Sequence, residues 1–456
     1  MTAKATIILL ASALVAACGG GGVSPAVPAN ATATISGNTS PYLHTLYSYE
    51  ATITGVTATA LTWLWGDGSA NSSGNPVAKV WNKAGTFTAT LSGNVPNTAA
   101  AIATGGPATV TVSGSQAGTA RHMPVAQGYS HYCAVQADTT VKCKGVNNAG
   151  QLGDGTTTDS LTTLVTVTGL TGVKQVAVGQ THSCAVKSDG TAACWGNNNN
   201  GQLGDGSTTN RSTPVPVAGL ANAVMVRMGD IHSCALKSDG AVHCWGNNVG
   251  GQLGDGTTTG RPTAGAISGV TNAVALASGR THSCVVKSDG TAACWGFNTF
   301  GQTGNGLTTD SLTPVAVIGV SNVAAIAAGD LHTCVLKMDG TAQCWGFNGF
   351  GNLGDGTTTD RLAPVAVGGL INGSAIASGA HHVCVVKKAG DVACWGYNTT
   401  NSLGDGTTTN RSVPVAVTAV AGLAANAAAI AANHGQTNCV LTTAGVEICW
   451  GTPASS

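Results

Sequence analysis

The sequence predicts an all-β protein: a seven-bladed β-propeller preceded by a small immunoglobulin-like β-sandwich. Three observations carry that expectation. The stretch His182–Gly206 recurs along the chain, and the first cysteines of successive copies step by 51, 50, 50, 50, 50 and 55 residues, a period that marks a repeat architecture. Fourteen of the 15 cysteines fall into seven pairs with a constant spacing. Sixty-five glycines, with abundant Thr, Ala and Val and no helical period, favour turns and strands.

The pairs are Cys133/Cys143, Cys184/Cys194, Cys234/Cys244, Cys284/Cys294, Cys334/Cys344, Cys384/Cys394 and Cys439/Cys449. Each copy reads as a β-hairpin. Ser188-Asp189-Gly190 suits a three-residue loop, a type I turn closed by a left-handed glycine. Pairing Lys187 with Thr191 then sets Cys184 opposite Cys194 on one face, at a non-hydrogen-bonded position where side chains approach closely. A cross-strand disulfide follows in each blade, and seven even pairs suit an oxidising compartment. Zinc is the alternative: two such cysteines supply two of four ligands, so adjacent blades would share a metal. No Cys-x-x-Cys supports it.

Composition narrows the function. The formal net charge is zero, only 8% of residues are charged, and glutamate occurs twice, at Glu50 and Glu447. No basic footprint for nucleic acid exists. No nucleophile elbow, phosphate loop or carboxylate pair is visible, and the shortage of Glu and Lys works against acid–base catalysis. Neither an enzyme activity nor a cofactor is expected.

Taken in order, residues 1–17 read as a signal: Lys4, then an apolar run from Thr6 to Ala17 too short for a comfortable span. Val15-Ala16-Ala17-Cys18 resembles the lipobox of bacterial lipoproteins. The resemblance implies cleavage before Cys18 and lipidation of its thiol, which accounts for the one unpaired cysteine; an ordinary secretory signal is the alternative. Residues 18–29, with Gly19–Gly22, Pro25 and Pro28, form a flexible tether. In that family Gly19 after the cysteine favours the outer membrane.

Residues 30–113 hold alternating runs at Ala31–Ile35, Tyr47–Ile53, Leu61–Trp65, Val77–Trp81, Thr86–Leu91 and Ala108–Val112, the pattern of a small sandwich. Trp63-Leu64-Trp65-Gly66-Asp67-Gly68, with Pro76, Trp81, Gly85, Phe87 and Leu91, resembles polycystic-kidney-disease-type (PKD) domains. That implies a spacer or adhesive module. Trp81 stands where that family has tyrosine. Asp67 reads first as a turn residue and second as a calcium ligand. Residues 114–121 form a linker, and the repeat region runs over 122–456.

Each repeat offers four strand-like pieces: Pro214-Val215-Pro216-Val217, Val224–Met228 and the two hairpin strands. Four strands per unit and seven units give a propeller. Gly179-x-x-His182-Ser183, Asp189-Gly190, Trp195-Gly196-x-Asn198 and Gly201-Gln202-Leu203-Gly204 resemble the regulator of chromosome condensation repeat family, in its bacterial alpha-tubulin-suppressor-like branch. The resemblance covers residues 122–451 and implies the seven-bladed fold. Lys144 replaces the tryptophan in the first blade, and Thr437 replaces the histidine in the last. The hairpin occurs seven times but the Pro-Val-x-Val piece six, so one strand is missing, expected ahead of His122; Pro107–Val112 is assigned to the sandwich instead.

His131, His182, His232, His282, His332 and His382 each precede a first cysteine by two and are expected to be buried, bonded to backbone and free of metal. The tryptophans after the second cysteines are expected between blades. Asp154, Asp205, Asp255, Asp355 and Asp405 in Gly-Asp-Gly loops read as turn formers, since Asn305 replaces one without breaking the repeat.

Variation on a constant framework marks candidate binding positions. Before the histidines stand Tyr129, Gln180, Asp230, Arg280, Asp330 and Ala380; after Trp-Gly come Phe297, Phe347 and Tyr397, joined by Phe300 and Phe350. The candidate site is Phe297, Phe300, Phe347, Phe350, Tyr397, Asp230, Arg280 and Asp330. The aromatics serve either blade packing or a patch for a protein or glycan. The expected function is therefore recognition at the bacterial cell envelope, lipid-anchored at the outer membrane, with an envelope or extracellular partner and no nucleic acid. The family resemblance also admits a guanine-nucleotide exchange activity, as in its eukaryotic member, though a signal and disulfides fit a cytosolic GTPase poorly. A bacterial β-lactamase-inhibitor propeller supplies a third reading. Replacing Cys18 with Ala should abolish lipidation and membrane fractionation with the folded domains intact; a variant that still pellets after high-salt washing would place the anchor elsewhere.

Overall fold

A computed structural model describes residues 125–423, 425–432 and 436–451, and before them the strand backbones between Lys4 and Val112. The chain divides into Met1–Ala120 and Arg121–Ser456. No helix occurs among the described residues, so none is long and apolar enough to cross a membrane.

In the first unit, Thr32–Ser36, Leu46–Thr54, Thr59–Leu64, Val77–Val80, Gly85–Asn94 and Ala108–Val112 are strands, matching the alternating runs. They fall into two antiparallel sheets, and Ala108–Val112 pairs with Gly85–Asn94 inside this unit. Lys4–Ile8 pairs with Thr32–Ser36, within the segment expected to be a removable signal. The face-to-face packing that would define a sandwich lies outside the described residues. So do Cys18, the tether, Asp67, Trp65, Trp81 and the linker 114–121.

The second unit is a seven-bladed propeller. Six sheets have four antiparallel strands and the seventh has three. Blade two shows the plan: Val173–Val178 lies innermost, His182–Lys187 and Ala192–Gly196 form the hairpin, and Arg211–Pro216 is outermost. The blades follow from residue chemistry. In the turn, Asp189 Oδ1 accepts from Thr191 N and Oγ1 at 2.9 and 2.6 Å, and Gly190 takes φ 79°. That fixes the register Cys184↔Cys194. In blade one Thr139 occupies the turn at φ 66°, where a β-branched residue is strained.

Every cysteine pair in the propeller is a disulfide within its own blade: Cys133–Cys143, Cys184–Cys194, Cys234–Cys244, Cys284–Cys294, Cys334–Cys344, Cys384–Cys394 and Cys439–Cys449. Their Cα atoms lie 4.0–4.1 Å apart, as at non-hydrogen-bonded positions. With both thiols of each pair joined to one another, the zinc alternative falls. Burial is the feature of these pairs that spacing does not foretell. In the first six blades both partners are 0% exposed: Cys133 and Cys143, Cys184 and Cys194, Cys234 and Cys244, Cys284 and Cys294, Cys334 and Cys344, Cys384 and Cys394. These residues, singled out from the sequence as sites, therefore belong to the core and form no part of any surface. The reason is that the hairpin strands are the two middle strands of each sheet, covered by the blades on either side. In the last blade Cys449 is exposed, because among the described residues its strand has no outer neighbour.

A further expectation is corrected. The Pro-Val-x-Val strand does not open a blade; it closes the blade of the preceding hairpin, pairing Cys194↔Val215 and Gly196↔Arg211. The reason is the long loop between them, whose buried Asn198 tethers both ends. The blade short of a strand is consequently the last, Ala427–Ala432, Asn438–Thr442 and Glu447–Trp450, and not one ahead of His122. The first blade is complete, with Val125–Gln127 innermost.

Cross-blade bonds join the blades. Trp195 Nε1 donates to Gln151 O of the preceding blade at 2.9 Å, and Trp245, Trp295, Trp345, Trp395 and Trp450 repeat this at 2.8–3.1 Å. Trp195 to Trp395 in this series are 0% exposed. The same carbonyls of Gln151, Gln202 and Gln302 accept the hydroxyls of Ser183, Ser233 and Thr333 at 2.9–3.2 Å. Each of those hydroxyls meets a histidine Nε2 from the blade before: His131 to Ser183 at 2.8 Å, His182 to Ser233 at 3.0 Å, His282 to Thr333 at 2.9 Å. The histidines thus bond to side chains of the next blade, a correction to the expected backbone acceptors. Blade six has Val383 at the hydroxyl position, and Ser378 takes over for His332 at 2.8 Å; His382 meets Asn438 at 2.9 Å. Five of the six histidines, from His182 to His382, pass close under a glycine: a Cβ at Gly279 would lie 2.2 Å from His282 Cε1 and 2.4 Å from Gly329 O.

Burial holds His131 and His382 near pKa 4 and His332 near 3, against an ordinary 6.5. Depressed folded values mean that the unfolded chain takes up protons first as pH falls. The stability these neutral rings contribute is complete above the unfolded value and is lost as pH drops toward 4 and then 3. The urea midpoint should fall between pH 7 and pH 4.5, with net proton uptake on unfolding at pH 5. An unchanged midpoint over that range would contradict the neutral-histidine staples.

Candidate functional site: the loop face of the propeller

Two segments of every blade come to the same end of the sheet: the turn between the innermost strand and its neighbour, and the long loop after Trp-Gly. Asn197 N donates to Thr181 O at 2.9 Å, and Asn247, Phe297, Phe347 and Tyr397 repeat the bond at 2.9–3.0 Å. Both sets of variable residues therefore share one face, with the Asp-Gly hairpin turns at the other.

The long loop is fixed from within. Asn198, 0% exposed, donates from Nδ2 to Asp205 Oδ1, Ser207 O and Thr209 O at 3.1 Å each, and its Oδ1 accepts from Leu203 N at 2.9 Å. Asp205 Oδ1 also accepts from Ser207 N, and Oδ2 pairs with Arg211 at 2.9 Å. Asp355 with Arg361 and Asp405 with Arg411 repeat this at 2.8 Å. These hydrogen bonds hold the Asp205, Asp355 and Asp405 carboxyls below the usual carboxylate range despite burial that opposes it. Their oxygens are committed to the loop, the turn-forming role expected of them.

Around the axis the turns join edge to edge. Asp230 N donates to Arg280 O at 3.1 Å, Arg280 N to Asp330 O at 3.3 Å, and Asp330 N to Ala380 O at 3.0 Å. Arg280 Nε pairs with Asp230 Oδ2 at 2.9 Å; the arginine side chain is 53% exposed, the aspartate 7%. Tyr129 donates its hydroxyl to Asp330 Oδ2. These two residues belong to blades one and five, which are not neighbours, so the phenol reaches across the mouth of the axial channel. Burial, then Asp330 and Asp230, push the Tyr129 phenol far above its ordinary value of 10.0.

Beside this polar centre lies an aromatic strip over blades four to six. Phe300 meets Phe347 with centroids 5.4 Å apart, Phe347 meets Phe350 at 5.7 Å, and Phe350 meets Tyr397 at 5.1 Å, all edge-to-face. His381 joins at 5.2 Å from Phe350 and 6.1 Å from Phe347. Burial lowers its pKa, and Asp330 opposes the shift. All five side chains are half-buried. The expected packing of blade against blade is found, and it lies at the surface. Phe297 stands one loop away, against Gly250.

The structure thus unites Phe300, Phe347, Phe350 and Tyr397 in one strip and Asp230, Arg280 and Asp330 in one belt. Sequence reading missed His381, although it replaces Thr181, Ile231, Thr281 and Leu331 of other blades. It gave Tyr129 as variable without foreseeing its bond to Asp330. Among the described residues the one His/Cys/Asp/Glu cluster close enough for a metal is Cys439, Glu447 and Cys449, and its two thiols are joined as a disulfide.

Comparison with known proteins agrees with this geometry. Two models of the regulator of chromosome condensation (RCC1) repeat match, one over residues 189–236, 289–336 and 339–386, the other over 173–202, 226–252, 273–302 and 323–352. The Arabidopsis thaliana ultraviolet-B receptor UVR8 is 40% identical over 89 residues, 19% of this chain and only 20% of the receptor. Human WBSCR16 superposes with TM-score 0.60 at 24% identity, over 68% of this chain and 83% of that one. Yeast RCC1 (Prp20), in its complex with Kap60, gives 0.60 at 22%, over 68% and 78%. At such identities the likeness speaks for the fold alone.

Tyr129→Phe should cost about 1.5–3 kcal/mol in urea unfolding, the range for a hydrogen bond to a charged group. An unchanged midpoint would show that the phenol does not bind across the mouth. The chain carries RCC1 repeats folded as a seven-bladed β-propeller.

Proposed function

We propose that the protein is a non-enzymatic binding protein of the bacterial cell envelope, held by a lipid on Cys18, that docks a protein partner on the loop face of its propeller. One observation carries this reading. Framework positions repeat from blade to blade, whereas the departures from the repeat, Arg280, Asp330, His381 and the aromatics, converge on one face. Specialising one end of a rigid repeat scaffold is how such proteins build interfaces.

The ring geometry favours a protein over a glycan. Sugar recognition wants an open, flat aromatic face, but these half-buried rings interlock edge-to-face, so faces are taken up by neighbouring rings. Half-buried aromatics beside an exposed arginine are the composition of protein-interface hot spots. Yeast RCC1 (Prp20) is described with Kap60, Gsp1p and histones, which supports protein recognition by this fold without naming a partner here.

The test spares the interlocked rings. Thr299 and Thr399 are exposed at the loop tips beside Phe300 and Tyr397. Thr299→Arg/Thr399→Arg should leave stability within about 0.5 kcal/mol, as for ordinary surface changes. It should weaken capture of the envelope protein recovered by wild type at least about tenfold, or roughly 1.4 kcal/mol. Equal capture by the variant, or capture of glycan alone by the wild type, would overturn the reading.

A further inference from the structure

The innermost strands leave an axial channel of about 220 Å³, lined by Ala126, Ala177, Arg227, Ala277, Ala327, Ala377 and Ala431 among others. These seven residues are one level of the ring. Each pairs with the first cysteine of its blade, or stands opposite it in register: Ala177↔Cys184, Arg227↔Cys234, Ala277↔Cys284, Ala327↔Cys334, Ala377↔Cys384, Ala431↔Cys439 and Ala126↔Cys133. Six blades place alanine there and one places arginine.

Six small side chains open a space at this level, and a single cation enters it. The Arg227 guanidinium carries five N–H donors, and one hydrogen bond is found, from Nη1 to Val226 O at 3.0 Å. Among the described residues no carboxylate pairs with it, and burial alone lowers its pKa, to about 10, so it stays charged at neutral pH. Val226 is already held from blade two by Gln175, whose Oε1 accepts from Val226 N at 3.0 Å, so the backbone there does not need the arginine. Arg227 is half-buried on the wall of the lumen, and a guanidinium partly withdrawn from water without a counter-charge is costly. The innermost strands are also unpaired on their axial edge, which turns further backbone N–H groups toward the lumen. The neighbouring polar side chains are engaged elsewhere: Ser378 with His332, Gln175 with Val226 and Ser278 with Ser283.

We infer that the axial channel is a binding site for one small oxyanion, a carboxylate or phosphate, held by Arg227. Planar oxyanions match the guanidinium fork, and the bonds are charge-assisted. The site is independent of the loop-face reading, because Arg227 lies within the innermost strand Ala223–Met228, whereas Asp230 stands in the turn beyond its end.

The repeat supplies its own control. Arg227→Ala restores the residue that six blades carry and should fold. Calorimetric titration at constant ionic strength, with inorganic phosphate and separately with acetate, should show saturable one-to-one binding of at least one of them to the wild type. Binding should weaken by at least about tenfold in Arg227→Ala, as expected for losing a charge-assisted pair, and recover in part in Arg227→Lys, a point charge without the fork. The thermal midpoint of the wild type alone should rise with that anion. No saturable binding to the wild type, or equal binding to Arg227→Ala, would overturn the site and make Arg227 a filler of the lumen.

Discussion

The indole-to-carbonyl bond between blades is the constraint on which the rest depends. Trp195 and its five counterparts each reach into the preceding blade, and the carbonyl they meet belongs to the loop that carries the variable residues. Packing and loop placement are thereby one event. A large apolar ring leaves water, and its one polar atom finds its partner only if the neighbouring loop sits in one position. Serine or threonine and histidine complete the joint where present. Where Val383 removes the hydroxyl, Ser378 substitutes from within the same blade, so the requirement is for a buried partner and not for one residue.

Rigidity below permits variety above. A disulfide fixes each hairpin, an Asp-Gly turn helps in blades two to five, and Asn198 and its equivalents fix the long loops from inside. Side chains at the loop face are then free to differ, and they do: Asp230, Arg280 and Asp330 form a belt along blades three to five, and four aromatic side chains with His381 bridge blades four to six. Tyr129 links blade one to blade five over the channel mouth, a contact between chain positions 201 residues apart.

Much of this was legible in the sequence, because a repeat displays the same local chemistry seven times. Hairpin register followed from Asp189-Gly190 and the cysteine spacing alone, so Cys143, Cys194, Cys244, Cys294, Cys344 and Cys394 all meet the partners expected of them. The interblade tryptophans followed from their constancy beside a cysteine. What was not legible depends on the ring as a whole. That those cysteines lie wholly in the core is decided by the flanking blades, which the hairpin alone does not contain. Whether Pro214–Val217 opens or closes a blade is set by the tether at Asn198, and both orders repeat with the same period. The partner of His131 is 52 residues away, in the next blade, and no periodic pattern reveals which neighbour a side chain faces. Arg227 is unremarkable within its own strand; only the closed ring shows it as one charge among six alanines.

The blades should then form one cooperative unit, with an indole bond in six of its seven joints. Hydrogen exchange of the indole Nε1–H groups, followed by NMR, tests this directly. Trp195, Trp245, Trp295, Trp345, Trp395 and Trp450 should exchange together, at the rate of global opening, because each proton is held in a buried joint that opens only when blades part. Fast exchange at individual indoles, with the remaining blades still protected, would show blades that open one by one and would contradict the claim that these bonds hold the ring and its loop face in place.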